Sequence, residues 1–168
     1  FYFQNPLLKK EMVVSKFYIF VRPCYIMKDH AVMMIRDDTG RILFIQRSMK
    51  KSTLPGAWSF PSGTVEEGED VLLTAVRESM EELGVDVSPE RVLSTLDLDE
   101  FSVRLHFILC SLVNGEPVIG EPDEIDAIDW MSMEDFFEKF SDDNIGHGLI
   151  WLRKNPDVWA DLGIDNLK

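Results

Sequence analysis

Cysteine and long apolar runs are both scarce in this chain. Its 168 residues include only two cysteines, Cys24 and Cys110, and both lie in apolar, strand-like surroundings. This usage indicates neither a disulfide framework nor a cysteine-based zinc site. No apolar run reaches the roughly 18 residues that a membrane span needs, and no signal-peptide pattern is present. We therefore expect a cytoplasmic protein.

Positive charge is also sparse. The formal net charge is −13, and the densest basic stretch, Arg47 to Lys51, contains three basic residues. Nucleic-acid polymers and anionic membranes are bound through basic surfaces that neutralise many phosphates. We expect neither as a partner, whereas a small phosphorylated ligand suits the short basic stretch. The sequence does not fix the oligomeric state, and a homodimer is compatible with it.

The composition suits one folded domain, because 168 residues with 45% hydrophobic content can build a single core. Phe1 to Gln4 resembles the remnant of an engineered protease-cleavage tag, and Met12 is a reasonable natural start. We therefore set residues 1–11 aside, with a genuine N-terminal arm as the alternative reading. The domain is expected over residues 12–168.

Turn residues and apolar segments predict a mixed α/β order. Asp37 to Gly40 should turn a hairpin. Ser132 should cap a helix from Met133 to Phe140, and Asn155-Pro156 should start a last helix that ends near Gly163. Strands are predicted over residues 16–21, 30–36, 41–46, 91–98, 102–113 and 125–130.

The strongest pattern lies between Gly63 and Val85. The segment reads Gly63-x5-Glu69-x7-Arg77-Glu78-x2-Glu81-Glu82-Leu83-Gly84-Val85. No glycine or proline occurs between Asp70 and Leu83, and Gly84 supplies a left-handed stop, which together predict a helix of about four turns. At roughly 100° per residue, one arc of this helix is apolar and another is acidic. The apolar arc, expected to be buried, holds Leu72, Val76, Met80 and Leu83, and the acidic arc facing away from it holds Glu78, Glu81 and Glu82.

Three neighbouring carboxylates favour a metal site. Like charges one helical turn apart destabilise a helix by a few tenths of a kcal/mol per pair, and no lysine occurs between Lys51 and Lys139 to offset them. Carboxylate oxygens are the ligands that Mg²⁺ and Mn²⁺ prefer. An ordinary solvated acidic helix is the alternative, and the fixed residues around the carboxylates weigh against it.

This order of residues resembles the signature of the Nudix hydrolases, which cleave a nucleoside diphosphate linked to another moiety. The resemblance implies an α/β/α sandwich with a mixed sheet and Mg²⁺ (or Mn²⁺) as cofactor. It implies Glu78 and Glu82 as the principal metal ligands, Glu81 as a third ligand or a base for water, and the carbonyl of Ser62 as a further ligand. Arg77 would pair with Glu69 to hold the loop onto the helix.

Two departures from the usual signature affect the expected packing. Ser79 occupies a place that is normally aliphatic, and we expect it at the edge of the apolar face. The loop reads Phe60-Pro61-Ser62-Gly63 where many relatives have two consecutive glycines, which leaves the loop geometry open. Gly63 should let the backbone approach the metal closely.

The remaining site residues are less tightly constrained. The resemblance favours a base on the loop before the last strand, where Glu124 is preferred over Glu121 and Asp123. Arg47 is a candidate for the substrate phosphates, with a solvated strand-end charge as the alternative. Two further groups are candidates for binding the base of the nucleotide, each with a structural alternative in the core or in a turn: Trp58 and Phe60 by stacking, and Asp143, Asn144 and His147 by hydrogen bonding.

The substrate follows only by exclusion. Glu100 to Val103 has neither the proline typical of ADP-ribose hydrolases nor the tyrosine typical of dinucleoside polyphosphate hydrolases, and the motif of the NADH-cleaving branch is absent. A small nucleotide, most simply a nucleoside triphosphate, an oxidised one included, is the expected substrate. ADP-ribose or another nucleotide sugar is one alternative. An isopentenyl-diphosphate isomerase or a non-hydrolytic regulatory module are others, although neither Cys24 nor Cys110 has the context of a catalytic cysteine and all four motif glutamates are intact.

Overall fold

The computed structural model describes residues 9–15, 18–24 and 27–160, with side chains from residue 27 onward, so residues 1–8 of the predicted tag lie outside it. The strands are β1 (Lys9–Ser15), β2 (Tyr18–Cys24), β3 (Lys28–Arg36), β4 (Ile42–Arg47), β5 (Trp58–Ser59), β6 (Ser62–Thr64), β7 (Asp86–Leu98), β8 (Val103–Asn114) and β9 (Ile125–Met131). The helices are α1 (Val71–Leu83), α2 (Met133–Lys139) and α3 (His147–Lys154).

The main sheet is mixed. Its order is β5-β4-β3-β8-β7, with β6 paired to β3 and β9 paired to β4. Strands β3 and β8 run parallel, whereas β3 pairs antiparallel with β6 and β7 pairs antiparallel with β8. Strands β1 and β2 form a separate antiparallel pair. The predicted mixed sheet is confirmed.

Side-chain alternation along β3 divides the core into two layers. Val32 and Met34 belong to a cluster that includes Phe136 of α2 and Leu149 of α3. Their neighbours Ala31, Met33 and Ile35 belong to a second cluster that includes Ala75 and Leu83 of α1. Since successive strand residues point to opposite faces, α1 covers one face of the sheet and α2 and α3 cover the other, as an α/β/α sandwich requires.

Several local predictions are confirmed by hydrogen bonds. The Asp37 side chain accepts from the backbone N–H groups of Thr39 and Arg41, both at 2.9 Å, and closes the hairpin turn. Helix α1 ends at Gly84 with a φ of 66°, as predicted. The carboxylate of Asp70, which the sequence analysis did not name as a cap, accepts from Leu72 N–H at the start of the helix. Ser132 caps α2 by accepting from the backbone of Asp135. No helix among the described residues is both long and apolar enough to cross a membrane.

The last predicted helix, from Asn155-Pro156 to about Gly163, is not found over its described part. Up to residue 160 the chain makes a short 3₁₀ turn at Pro156–Val158, whereas helix α3, which was not predicted, precedes it. Residues 161–163 of the prediction lie outside the described residues. The sequence analysis predicted no helix here, although Gly148 lies in the first turn of α3. A Cβ at Gly148 would stand 3.2 Å from the Phe107 ring. This glycine lets α3 pack closely on the sheet, so tertiary packing overrides its low helix propensity.

Candidate active site

Helix α1 is rotated about its axis relative to the prediction. Val76 and Met80 are 38% and 47% exposed, whereas Glu82 is only 8% exposed. Leu83 is fully buried, as expected. The expectation that the apolar arc is buried and the carboxylate arc faces away is therefore wrong for Val76, Met80 and Glu82. The reason lies in the neighbouring strand β6, which Glu78 and Glu82 face.

Ser79 is fully buried and does not lie at the edge of the apolar face. Together with Ala75, also fully buried, it places small side chains on the side of α1 that meets the sheet. Small residues let a helix approach its neighbour closely. The Ser79 hydroxyl has no hydrogen-bond partner among the described residues, so packing rather than hydrogen bonding accounts for its position.

Arg77 links the motif loop to the helix, and its predicted pairing with Glu69 is confirmed. The guanidinium Nε and Nη2 each donate to a Glu69 carboxylate oxygen at 2.9 Å, a bidentate geometry that strengthens the pair. Its Nη1 donates to Glu78 at 2.7 Å and to Glu81 at 3.1 Å. The Arg77 hydrogen bonds lower the pKa of Glu69 to about 2. Arg77 therefore fixes the loop and also screens two of the three helix carboxylates.

Gly63 makes room for the Glu78 side chain. It lies in β6 opposite Ala31, so the loop with its single glycine continues into an ordinary strand. A Cβ at Gly63 would stand 1.8 Å from Glu78 Cδ, a distance that no folded structure tolerates. The carboxylate of Glu78 thus rests on the backbone of β6. Burial raises the pKa of Glu78, and Arg77 partly opposes that rise.

Glu82 is the most deeply buried carboxylate of the site. Burial, followed by the charges of Glu78 and Glu121, raises its pKa to about 8, and a hydrogen bond from the backbone N–H of Ser62 opposes the rise. Its Oε2 atom is buried with no hydrogen-bond partner among the described residues. A buried ionised carboxylate without a partner is costly. Perturbed carboxylates of this kind concentrate at functional sites.

The loop that carries the candidate bases packs on the C-terminal end of α1. Val118 N–H donates to Leu83 O at 3.0 Å, and Gly120 N–H donates to Glu82 O at 2.9 Å. A Cβ at Gly120 would stand 2.5 Å from the Glu81 carbonyl oxygen, so only glycine fits this contact. The loop therefore fixes the acidic residues that follow Gly120 beside the helix carboxylates.

Both candidate bases of this loop approach the site. The charges of Glu121 and Glu124 both raise the pKa of Glu82, and Glu121 contributes more. The charge of Glu121 therefore acts more strongly on the helix carboxylate of Glu82 than the charge of Glu124, which the sequence analysis preferred as the base. The Glu124 carboxylate instead makes a direct ion pair with Lys51, and Asp123 pairs with Lys50 at 2.6 Å.

A cavity of about 560 Å³ opens on the other face of the sheet. Arg47, Lys51, Ser62 and Glu124 line it. Arg47 also donates to the carbonyl and hydroxyl oxygens of Thr53, at 3.1 and 3.2 Å. The helix carboxylates do not line the cavity, but Ser62 and Glu124 connect the two regions, because one binds Glu82 and the other raises its pKa.

The structure separates the candidate base-binding residues. Phe60 is 2% exposed and stacks on Phe44 with ring centroids 5.1 Å apart, although it also contributes to the cavity wall. Trp58 packs against Phe140 at 5.2 Å. The Asn144 side chain accepts from the Ser141 hydroxyl at 2.9 Å, and Asn144 is not among the lining residues.

His147, His30 and Phe101 line the cavity. Sequence reasoning named His147 but missed the other two. Strand alternation could have placed His30 on the same face as Val32. Phe101 lies in the stretch from Glu100 to Val103, which was considered only for the proline or tyrosine of other branches of the family.

The carboxylate oxygens of helix α1 are the type of ligand that a divalent cation prefers. In the part of the chain that the structure describes, no three carboxylate, imidazole or thiol groups are gathered closely enough to hold a metal ion. Arg77 contacts Glu78 and Glu81 instead. However, the unpartnered Oε2 of Glu82 beside Glu78 is an oxygen donor that hard cations prefer. The predicted ligand set of Ser62, Glu78, Glu81 and Glu82 stays a prediction.

Comparison with known proteins identifies relatives across most of the chain. The family model of the NUDIX domain matches residues 27–150. An uncharacterised Nudix hydrolase of Yersinia pestis is 31% identical over 129 residues, which cover 74% of this chain and 71% of that protein. The crystal structure of a MutT NUDIX hydrolase from Burkholderia pseudomallei is 28% identical, covers 76% of this chain and 95% of its own, and has a TM-score of 0.61. An ADP-ribose pyrophosphatase from Streptococcus suis is 31% identical with a TM-score of 0.53, over 64% of this chain and 75% of its own.

Proposed function

The chain belongs to the Nudix hydrolase family, whose members hydrolyse phosphoric anhydrides, and on this premise we propose that it is a Mg²⁺-dependent (or Mn²⁺-dependent) pyrophosphohydrolase of nucleoside triphosphates. The products are the monophosphate and pyrophosphate, and oxidised nucleotides are included among the substrates. The observation that carries the metal dependence is the buried, unpartnered Oε2 of Glu82 beside Glu78. The cytoplasm remains the proposed compartment on the sequence grounds given above.

The residues fit distinct roles in this reaction. Glu78 and Glu82 would hold the metal, with Glu81 and the Ser62 carbonyl as further ligands. When bound, a divalent ion neutralises phosphate charge and lowers the pKa of a water molecule. Arg77 positions Glu78 through their 2.7 Å hydrogen bond.

The cavity residues supply the rest of the chemistry. Arg47 and Lys51 neutralise the substrate phosphates at the cavity wall. Glu124 accepts the proton of the attacking water as the P–O bond of the anhydride breaks. Because Lys51 pairs with Glu124, a phosphate that draws Lys51 toward itself frees the carboxylate for this role. Glu121 is the alternative base, since its charge acts more strongly on Glu82.

A second substrate class rests on one comparison. The Streptococcus suis protein that is 31% identical to this chain is an ADP-ribose pyrophosphatase. Cleavage of ADP-ribose uses the same anhydride chemistry. Cys110 does not support the alternative of an isopentenyl-diphosphate isomerase, because this residue is fully buried and burial raises the pKa of its thiol to about 12.

The test is product release from a panel of nucleoside triphosphates, oxidised dGTP, ADP-ribose, NADH and dinucleoside polyphosphates, with Mg²⁺, with Mn²⁺ and with EDTA. We expect metal-dependent pyrophosphate release from triphosphates. The variant Glu124→Gln should lose most of this turnover, whereas Glu116→Gln, which neutralises an exposed carboxylate on the preceding segment, should not. Turnover that survives EDTA, or cleavage confined to ADP-ribose, would contradict the proposal.

A further inference from the structure

The turn that follows β4 carries a basic residue of the cavity wall. Lys51 N–H donates to Ser48 O at 3.1 Å, and Lys50 N–H donates to the Ser48 hydroxyl at 3.3 Å, so the chain from Ser48 to Lys51 forms a β-turn. Lys51 lines the cavity, and its side chain is 26% exposed. The orientation of this turn therefore decides where the Lys51 ammonium group lies.

Two consecutive backbone N–H groups bind the turn to the segment that starts β9. Ser48 N–H donates to Glu124 O at 2.8 Å, and Met49 N–H donates to the carboxylate of Asp126 at 2.9 Å. A hydrogen bond to a carboxylate is stronger than one to a neutral acceptor. Because both N–H groups are held, the turn has little freedom to rotate about the end of β4.

The lysine side chains of the turn contribute less to this attachment. Lys50 pairs with Asp123 at 2.6 Å, but the two side chains are 70% and 84% exposed, and ion pairs in such positions stabilise little. Lys51 pairs with Glu124, and in the proposed reaction it leaves this partner for a substrate phosphate. The backbone bond to Asp126 requires no such exchange, so it can hold the turn both with and without substrate.

A β-bulge places Asp126 beside the turn. Between Gln46 and Arg47 the register advances by one residue on β4 and by two on β9, and Asp126 is the extra residue. Ile125 and Ile128, three positions apart, both pack in the core layer under α1, which regular alternation does not allow. Without the bulge, Asp126 would take the place of Ile125 in that layer. Bulges re-aim side chains next to active sites, and this one directs a carboxylate to the turn.

We propose that Asp126 is a positioning residue for substrate binding, which holds the turn so that the Lys51 ammonium group meets the substrate phosphates at the cavity wall. This inference rests on the proposed function. Met49 is 69% exposed, so water can replace a lost acceptor of its N–H, and the bond to Asp126 matters more for the position of the turn than for stability. A turn that is ordered beforehand loses less entropy on binding, which strengthens the complex.

The test measures phosphate binding and turnover separately. Calorimetry gives the dissociation constant of inorganic tripolyphosphate with Mg²⁺, and steady-state kinetics gives KM and kcat for ATP. The variants are Asp126→Ala, which removes the acceptor, Asp126→Asn, which keeps an acceptor oxygen, Lys51→Met, and the double variant of Asp126→Ala with Lys51→Met. Asp129→Ala is the matched control, because it removes a carboxylate of the same strand that is 46% exposed and contacts Trp130 and Lys139 instead of the turn.

We expect Asp126→Ala to weaken tripolyphosphate binding roughly tenfold and to raise KM for ATP by a similar factor, with a smaller change in kcat and in the urea midpoint of unfolding. Asp126→Asn should behave like the wild type, because its amide oxygen still accepts from Met49 N–H, and so should Asp129→Ala. In the Lys51→Met background Asp126→Ala should have no further effect on binding, since the turn then has no Lys51 ammonium group to position.

Unchanged tripolyphosphate binding by Asp126→Ala, an Asp126→Asn variant as impaired as Asp126→Ala, or effects of Asp126→Ala and Lys51→Met that multiply in the double variant would overturn the positioning role. A wild type that does not bind tripolyphosphate would overturn it as well. If binding depends on Asp126 as expected but the wild type hydrolyses no triphosphate, the proposed function fails and the positioning role stands. If the wild type hydrolyses triphosphates and Asp126→Ala is unaffected, the positioning role fails and the function stands.

Discussion

Replacing Glu82 by glutamine should stabilise the metal-free protein while abolishing its activity. Glu82 is 8% exposed, and its pKa rises from 4.5 to about 8 in the fold. Below pH 4.5 the carboxyl is protonated in both the folded and the unfolded chain, so it contributes no ionisation penalty. Between pH 4.5 and 8 the unfolded chain releases the proton and the folded protein retains it, which lowers the free energy of unfolding as the pH rises.

The size of this penalty follows from the two pKa values. Each pH unit in the window costs about 1.4 kcal/mol, so the penalty is about 3 kcal/mol at pH 7 and under about 1 kcal/mol at pH 5. Glutamine cannot ionise, so the variant does not incur this penalty. In EDTA at pH 7, Glu82→Gln should therefore unfold at a higher urea concentration than the wild type, by up to about 3 kcal/mol in free energy. The gain should shrink toward pH 5.

Urea unfolding followed by tryptophan fluorescence at pH 5 and pH 7 measures this difference. Glu81→Gln is the matched control, because it removes the same charge from the same helix at a side chain that is 52% exposed, and it should change stability little. Saturating Mg²⁺ should stabilise the wild type, by about 2.7 kcal/mol at a hundred times the dissociation constant, and should not stabilise Glu82→Gln. Turnover of the variant should fall by several orders of magnitude. A variant no more stable than Glu81→Gln in EDTA at pH 7 would refute the burial argument, and retained turnover would refute the metal assignment.

Two glycine substitutions test the backbone contacts of the site. Gly63→Ala should force the Glu78 side chain away from β6, since the new Cβ would overlap Glu78 Cδ at 1.8 Å; we expect at least tenfold weaker activation by Mg²⁺ in a titration of turnover, and unaltered metal dependence would contradict the role of this contact. Gly120→Ala should push the loop off α1 because its Cβ would stand 2.5 Å from a backbone oxygen. We expect kcat to fall at least tenfold with a smaller change in KM, since the loop carries the candidate bases, whereas the cavity wall apart from Glu124 lies on other segments; a kcat like that of the wild type would show that the loop need not hold this position.

Local features of the fold could be predicted because their causes lie within a few residues. The end of α1 follows from the left-handed backbone of Gly84, and the hairpin follows from Asp37. The pairing of Arg77 with Glu69 follows from a known signature. Each of these needs only the chain near it, and the structure agrees with all of them.

The rotation of α1 could not be predicted in the same way. Periodicity identifies an apolar arc, but it does not say what lies opposite each side of the helix. Here β6 offers the bare backbone of Gly63 and the N–H of Ser62, which receive Glu78 and Glu82. That arrangement depends on two strand residues, Ser62 and Gly63, which lie nine and eight positions before the helix start at Val71. Helix α3 was missed for a similarly non-local reason.

The inward rotation of α1 lowers the stability of the metal-free protein through both sides of the helix. It leaves Leu73 64% exposed and Met80 47% exposed, and it buries Glu82 at an ionisation penalty of about 3 kcal/mol at pH 7. A helix selected for stability alone would bury Leu73 and Met80 and expose Glu82. A divalent cation that binds the ionised carboxylates removes the penalty and so favours the folded state. The same rotation that weakens the metal-free fold therefore gives metal binding a larger influence on stability, which is the linkage that the glutamine variant of Glu82 measures.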